Sequence, residues 1–276
     1  MNKMKMVLAL ALAGLAFNAE AHKPWLLPSS TVVESKDPWV TVDAAISEGL
    51  FDIDHLPVKL DGVTVVGPDG AAVKLENANT GKLRSTFDLH LVKPGTYRIS
   101  LVSQSVMASY KDASGEIKRF RGTEEAFARE VPANASELRT SRTYSRLETF
   151  VSAGTPDTAV LKPSGVGLEL VPVTHPNDLR AGEKATWRFL LDGKPAAHQA
   201  FSLIPGGVRY HGTLGEIRKT TDANGGISFE LPAAGMYLVS ASWPSAAPDT
   251  HGAPAQPPQM PMRRMTYAAT VEVLPQ

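Results

Sequence analysis

The residues of this chain best suited to chemistry are its histidines. Seven His and no Cys occur among 276 residues. Disulfides, thiolate metal sites and thiol nucleophiles are therefore excluded, and any metal chemistry must use imidazole, thioether or carboxylate. His22 is the sharpest candidate. Residues 1–21 read as a secretory signal: Lys3 and Lys5 precede an apolar run over 6–17, and Ala19-Glu20-Ala21 puts small residues at the cleavage positions. Cleavage after Ala21 makes His22 the first residue of the mature chain. Its α-amino group and Nδ1 can then chelate one metal, and a second imidazole would complete a T-shaped brace of the kind suited to Cu(II) or Ni(II).

Three further histidines are candidates for the remaining ligands. His55 ends Phe51-Asp52-Ile53-Asp54-His55, where Asp52, Asp54 and His55 offer hard and borderline donors together. The plainer reading is a solvated acidic loop. His90 lies between Leu89 and Leu91, on the polar face of an expected strand. His211 follows Arg209-Tyr210 and opens a loop placed to line a cleft between domains. The candidate metal set is thus His22, His55, His90 and His211, and the expected cofactor is a divalent transition metal (Ni, Co or Cu). His175 and His198 stand beside turns and read as structural or solvated. Residues 244–264 hold six prolines together with His251, Met260 and Met262, with Met265 just beyond. This is a loop that cannot enter a central strand, and its thioethers are the donors Cu(I) favours.

For catalysis the chain offers little. No spacing sets a nucleophile beside a base, and GxGxxG, P-loop and GxSxG patterns are missing from the sequence. The expectation is a protein that is not an enzyme. Tyr144, Arg146 and Glu148 share one face of a strand and read as an ion pair and an aromatic on a solvated sheet. Lys+Arg and Asp+Glu both number 28, a balance that speaks against a broad nucleic-acid footprint. Losing Lys3, Lys5 and Glu20 with the signal leaves it near neutral.

The elements that must position these residues are strands. With 22 Gly and 21 Pro, turns interrupt the chain often. Alternating segments over 39–45, 63–66, 84–91, 96–102 and 142–151 are separated by turn signals such as Gly67-Pro68-Asp69-Gly70 and Lys93-Pro94-Gly95. Thr123 followed by Glu124 and Glu125 marks a short helix over 123–130. In the second half, segments at 167–173, 184–191, 200–204, 216–221, 227–231, 237–243 and 265–274 make about seven strands. The expected fold is all-β: a signal peptide over 1–21, an N-terminal β-sandwich over 22–164, and an immunoglobulin-like or transthyretin-like sandwich over 165–276. The apolar run of the signal is too short to anchor in a bilayer, so no membrane span is expected after cleavage, and a periplasmic location follows.

Several segments in this order carry a resemblance. They are His22-Lys23-Pro24-Trp25-Leu26-Leu27-Pro28-Ser29, Gly167 to Val173 with His175-Pro176, Leu190-Leu191-Asp192-Gly193-Lys194-Pro195, Pro205-Gly206-Gly207-Val208-Arg209-Tyr210, and Thr221-Asp222-Ala223-Asn224-Gly225 leading to Gly235-Met236-Tyr237. Together they resemble a domain-of-unknown-function family of bacterial periplasmic proteins, labelled as the periplasmic component of cobalt or nickel uptake systems. His22 and Trp25 keep that family's start, while Lys23-Pro24 departs from it. The resemblance implies two β-sandwich domains, divalent-metal handling and a membrane transporter component as partner. The rival expectation from another class is a structural or adhesive sandwich that binds a protein or glycan without metal.

Overall fold

The computed structural model describes residues 22–245 and 262–276. The signal segment, His251 and Met260 lie outside the described residues. Side-chain alternation dictates the strands. In Trp39–Ser47, Val40, Val42 and Ala44 turn inward while Trp39 and Thr41 face out. Ser85–His90 buries Ser85, Phe87 and Leu89, the face expected from its pattern. Lys184–Leu191 buries Ala185, Trp187 and Phe189 in the same way. That strand turns back at Asp192-Gly193, where φ is 50° and 74°. A two-residue hairpin turn of type I′ needs positive φ at both positions, which is why a DG pair stands there.

The strands form three sheets and two sandwiches, as the all-β pattern required. A five-stranded sheet holds Lys23–Pro28, Trp39–Ser47, Ser85–His90 and Glu76–Thr80 in that order, with Leu56–Pro57 beside Trp39–Ser47. A four-stranded sheet is built on Leu168–Pro172 and Lys184–Leu191. Between them runs a ten-stranded sheet whose centre is the parallel pair of Ser136–Ala153 and Arg263–Leu274. The last strand of the chain thus joins the two halves into one sheet.

The two cores lie on opposite faces of this shared sheet. Strand register sets Leu147 opposite Ala268, and Arg146 opposite Tyr267. Leu147 faces the first core with Phe87, Leu89, Tyr97 and Ile99. Tyr267 faces the second with Trp187, Phe189, Phe201 and Phe229. A third cluster of Trp25, Ala45, Leu50, Ile204 and Leu238 bridges the halves.

Two strands extend beyond their expected ends. Gly95–Lys111 and Ser136–Ala153 pair well past the sandwich edge, and Ile117–Gly122 adds a further strand. The polar composition there hides the alternation, because the burial comes from a helix instead of a facing sheet. Helix Glu124–Glu130 is capped by Thr123, whose Oγ1 accepts from the Ala126 N–H at 3.2 Å. Phe127 on this helix meets Phe120 edge-on with ring centres 5.7 Å apart, and the Arg142 guanidinium lies over its ring.

The ion pair expected on the strand face of Tyr144, Arg146 and Glu148 is present, but the expectation that this face is solvated is corrected. Arg146 and Glu148 are buried. Their face of the sheet is covered by Ser164 of the segment that links the halves and by Glu169 of the strand Leu168–Pro172. Arg146 Nη1 donates to Glu148 Oε1 at 3.2 Å, and Nη2 lies 3.3 Å from Glu169 Oε1. Glu169 also accepts from the Ser164 and Gly165 N–H groups at 2.8 Å, and Glu148 accepts from the Tyr267 hydroxyl at 3.1 Å. Burial, reinforced by Glu148 alongside, pushes the Tyr267 hydroxyl well above the usual phenol range.

Candidate functional site

The N-terminal strand fixes the position of His22. Lys23 pairs with Ser47 at the far end of Trp39–Ser47, and Trp25 locks the strand down. The indole is fully buried, its Nε1–H donates to Ser47 Oγ at 2.7 Å, and its ring meets Phe51 edge-on at 5.6 Å. Ser47 Oγ in turn donates to the Gly49 carbonyl at 2.6 Å. Because Trp25 also packs against Ile204 and Leu238, the strand Lys23–Pro28 is seated on both halves.

The segment after that strand curls back on itself. Asp54 accepts from the Glu48 N–H and the Gly49 N–H, one on each carboxylate oxygen, both at 3.1 Å. The Asp52 N–H donates to the Gly49 carbonyl at 2.9 Å, and Phe51 takes a positive φ of 65°. This closed loop delivers His55 onto His22. The two imidazoles stack with ring centres 3.9 Å apart and planes 10° from parallel. Glu48 faces the outer side of His22, with Oε1 3.4 Å from Nε2. Asp54, read from sequence as a ligand beside His55, shapes the loop, since both its oxygens hold backbone N–H groups.

This arrangement has definite chemical consequences. A carboxylate at Nε2 favours the tautomer with its proton there, leaving the Nδ1 lone pair for a metal. Nδ1 is the nitrogen that forms a chelate with the α-amine of the same residue. The stack is not itself a two-imidazole chelate. Ring-nitrogen lone pairs lie in the ring plane, and two nearly parallel planes do not converge on an ion about 2 Å from each nitrogen. His55 must swing out of the stack to become a ligand. Among the described residues no group of three His, Asp or Glu is already placed to hold a metal.

The other candidates fall elsewhere. His211 lies in the turn Val208–His211, with Nε2 3.3 Å from the Gly206 carbonyl. Gly206 abuts the 48–55 loop so closely that a side-chain carbon there would come within 2.6 Å of the Phe51 ring. His211 is therefore on the His22 side of the molecule, across the seam between halves. His90 is not. It pairs with Trp39, at the opposite end of Trp39–Ser47 from Ser47, about 26 Å from His22 along the strand. There it stacks on the Trp39 indole at 4.3 Å and bonds Asp37 Oδ1 through Nε2 at 2.6 Å. Of the methionines, Met265 is buried in the second core, whereas Met262 is 80% exposed. His175 is structural, as expected. Its Nδ1 accepts from the Asn177 N–H at 3.0 Å and its Nε2 lies 2.8 Å from the Asp157 carbonyl.

Glu48 went unnoticed in the sequence. The signal was its place: the first residue after a strand whose end pairs with Lys23, next to His22. The Arg146–Glu148 ion pair was expected, but its burial and its third member Glu169 were not, because Glu169 is distant in the chain.

A model of the family described as "Domain of unknown function (DUF4198)" matches residues 19–245. The chain belongs to the DUF4198 family. The DUF4198 match takes in His22, the loop carrying Glu48 and His55, and His211, and it ends before the sheet-joining strand Arg263–Leu274. No curated protein matches the chain. Among solved structures it is similar to the D0-D1 domain of intimin, at 14% identity over 90% of this chain and 97% of that one, with a TM-score of 0.22. A tetra-tandem repeat from the extending region of a large adhesion protein is similar at 11% identity, over 92% and 74% of the chains, with a TM-score of 0.22. A marsupial T cell receptor is similar at 8% identity, over 92% and 74%, again with a TM-score of 0.22. At these TM-scores the likenesses carry no argument about what this DUF4198 protein does.

Proposed function

We propose that this protein is an exported, periplasmic carrier of a divalent transition metal (nickel, cobalt or copper) or a small complex of it, which it hands to an uptake system in the membrane. The observation that carries the reading is the pairing of His22 with His55 while Glu48 faces His22 Nε2. After signal cleavage, the α-amine and Nδ1 of His22 form the primary chelate, Glu48 orients the ring from behind, and His55 swings in as a further donor. The buried Trp25 anchors the terminus, so little ordering is required on binding. In this reading the protein carries its metal without turnover. The resemblance to proteins labelled as components of cobalt or nickel uptake supports the choice of cargo.

Calorimetric titration of untagged, correctly processed protein tests the proposal. Cu(II) or Ni(II) should bind at one site per chain. Binding should be lost when a single residue is added before His22, because the added peptide bond removes the α-amine. Undiminished binding in that variant and in His22→Ala would overturn the reading.

A further inference from the structure

The ribbon formed by Ile117–Gly122, Gly95–Lys111, Ser136–Ala153 and the start of Arg263–Leu274 has two faces with different charge chemistry. On the helix side, charges are paired: Arg142 with Glu124 at 2.7 Å and Lys118 with Glu116 at 2.6 Å. The other face is different. Register sets Arg119 opposite Ser109 and Ser109 opposite Arg139, Arg121 opposite Met107 and Met107 opposite Ser141, and Thr143 opposite Arg264. Cross-strand partners point to the same side of a sheet, and so do residues two apart along a strand. Arg119, Arg121, Arg139 and Arg264 therefore share one face. All four are exposed, and among the described residues none has an ion-pair or hydrogen-bond partner at its guanidinium.

The same-face positions between them carry Ser, Thr, Met and Ile, with no Asp or Glu. Lys111, also on this face, is among the described residues the one cation there that is paired, with Glu137. The four arginines span about three strand spacings and about four residues along the strands, a patch of about 14 by 14 Å. Two large apolar side chains stand among them in water: Ile117 at 61% and Met107 at 40% exposure. Four guanidiniums gathered on one ribbon face suit a dense array of anions, and guanidinium matches phosphate through paired hydrogen bonds. Exposed apolar side chains beside them fit a partner that accepts hydrocarbon between its anionic groups. An anionic lipid leaflet provides both.

We propose that this arginine face is a peripheral docking surface for the anionic phosphate headgroups of a bilayer. Sedimentation of the processed protein with vesicles tests this. The protein should pellet with phosphatidylglycerol/phosphatidylethanolamine vesicles and stay in solution with phosphatidylcholine vesicles. It should be released at about 1 M salt, where the screening length falls to about 3 Å. Each basic residue near an anionic surface changes partitioning about fivefold, so Arg119→Gln/Arg121→Gln should weaken it about 25-fold. An unchanged unfolding midpoint in that variant will separate lost binding from lost fold. The proposal is overturned if anionic and neutral vesicles behave alike, if the variant pellets as well as the parent, or if an acidic peptide or a nucleic acid is bound while anionic vesicles are not.

Discussion

His22 and His55 lie face to face, their ring centres 3.9 Å apart and their planes 10° from parallel. The first immediately precedes the strand Lys23–Pro28 and the second comes from a loop closed on itself by Asp54. The contact holds the His22 imidazole in place while leaving its Nδ1 edge uncommitted among the described residues. The neighbouring carboxylate of Glu48 stands 3.4 Å from Nε2 of the same ring.

Glu48→Gln should weaken metal binding about 10–100-fold, the usual cost of removing a carboxylate that orients a ligating histidine. Unfolding stability should hardly change, because Glu48 is exposed. Competition titration against a chromophoric chelator, alongside urea unfolding, will separate the two effects. Equal affinity for parent and variant would mean that Glu48 does not orient His22.

Asp54→Ala should act on the loop itself. It frees the Glu48 and Gly49 N–H groups from their acceptor, which costs about 1–2 kcal/mol after allowing for replacement by water. Released from the closed loop, His55 should lose its seat on His22. The imidazole proton resonances of both residues should then shift toward solvated values in NMR spectra.

Arg146→Ala should be the most destabilising of these changes. It strands Glu148 and Glu169 as buried carboxylates without their shared cation, at a cost of about 3–5 kcal/mol. Glu169→Gln should be milder than Glu169→Leu, because the amide oxygen still accepts an N–H from the Ser164–Gly165 turn. Chemical unfolding of the three variants gives the ranking directly.

His175 should make stability depend on pH. Burial holds its imidazole below the usual histidine value of 6.5, against the opposing influence of the Asp157 carbonyl. The Asn177 N–H also occupies Nδ1, so protonation there breaks a bond. The unfolded chain then binds the proton more readily than the fold does. The contribution of the neutral ring is complete above pH 6.5 and is lost as pH falls below it, so stability rises with pH through this window. Replacing His175 with Gln should flatten that part of the profile in urea titrations between pH 5 and about 7.

Much of this protein was legible in its residues. The Trp39–Ser47, Ser85–His90 and Lys184–Leu191 strands follow from period-two burial. The Asp192-Gly193 turn follows from the need for positive φ, and the Thr123 cap from a hydroxyl preceding two acids. These features are local, and local sterics and hydrogen bonding suffice to specify them. His22 and His55 were legible as chemistry-bearing types, and so was the absence of thiolates.

Tertiary structure decided what meets what. That His55, and not His90, reaches His22 depends on the pairing register of Lys23–Pro28 and on the curl from Glu48 to His55. Arg146 and Glu148 are buried because Ser164 of the linker and Glu169 of the strand Leu168–Pro172 close over their side, whereas alternation alone tells only that the two share a side. The final strand joins both halves by pairing in parallel with Ser136–Ala153, a contact across more than a hundred residues of chain. The arginine face depends on the same long-range register. The periodicity of a strand tells which residues share a side, but which strand lies beside it, and what covers that side, is set by packing between segments far apart in the chain.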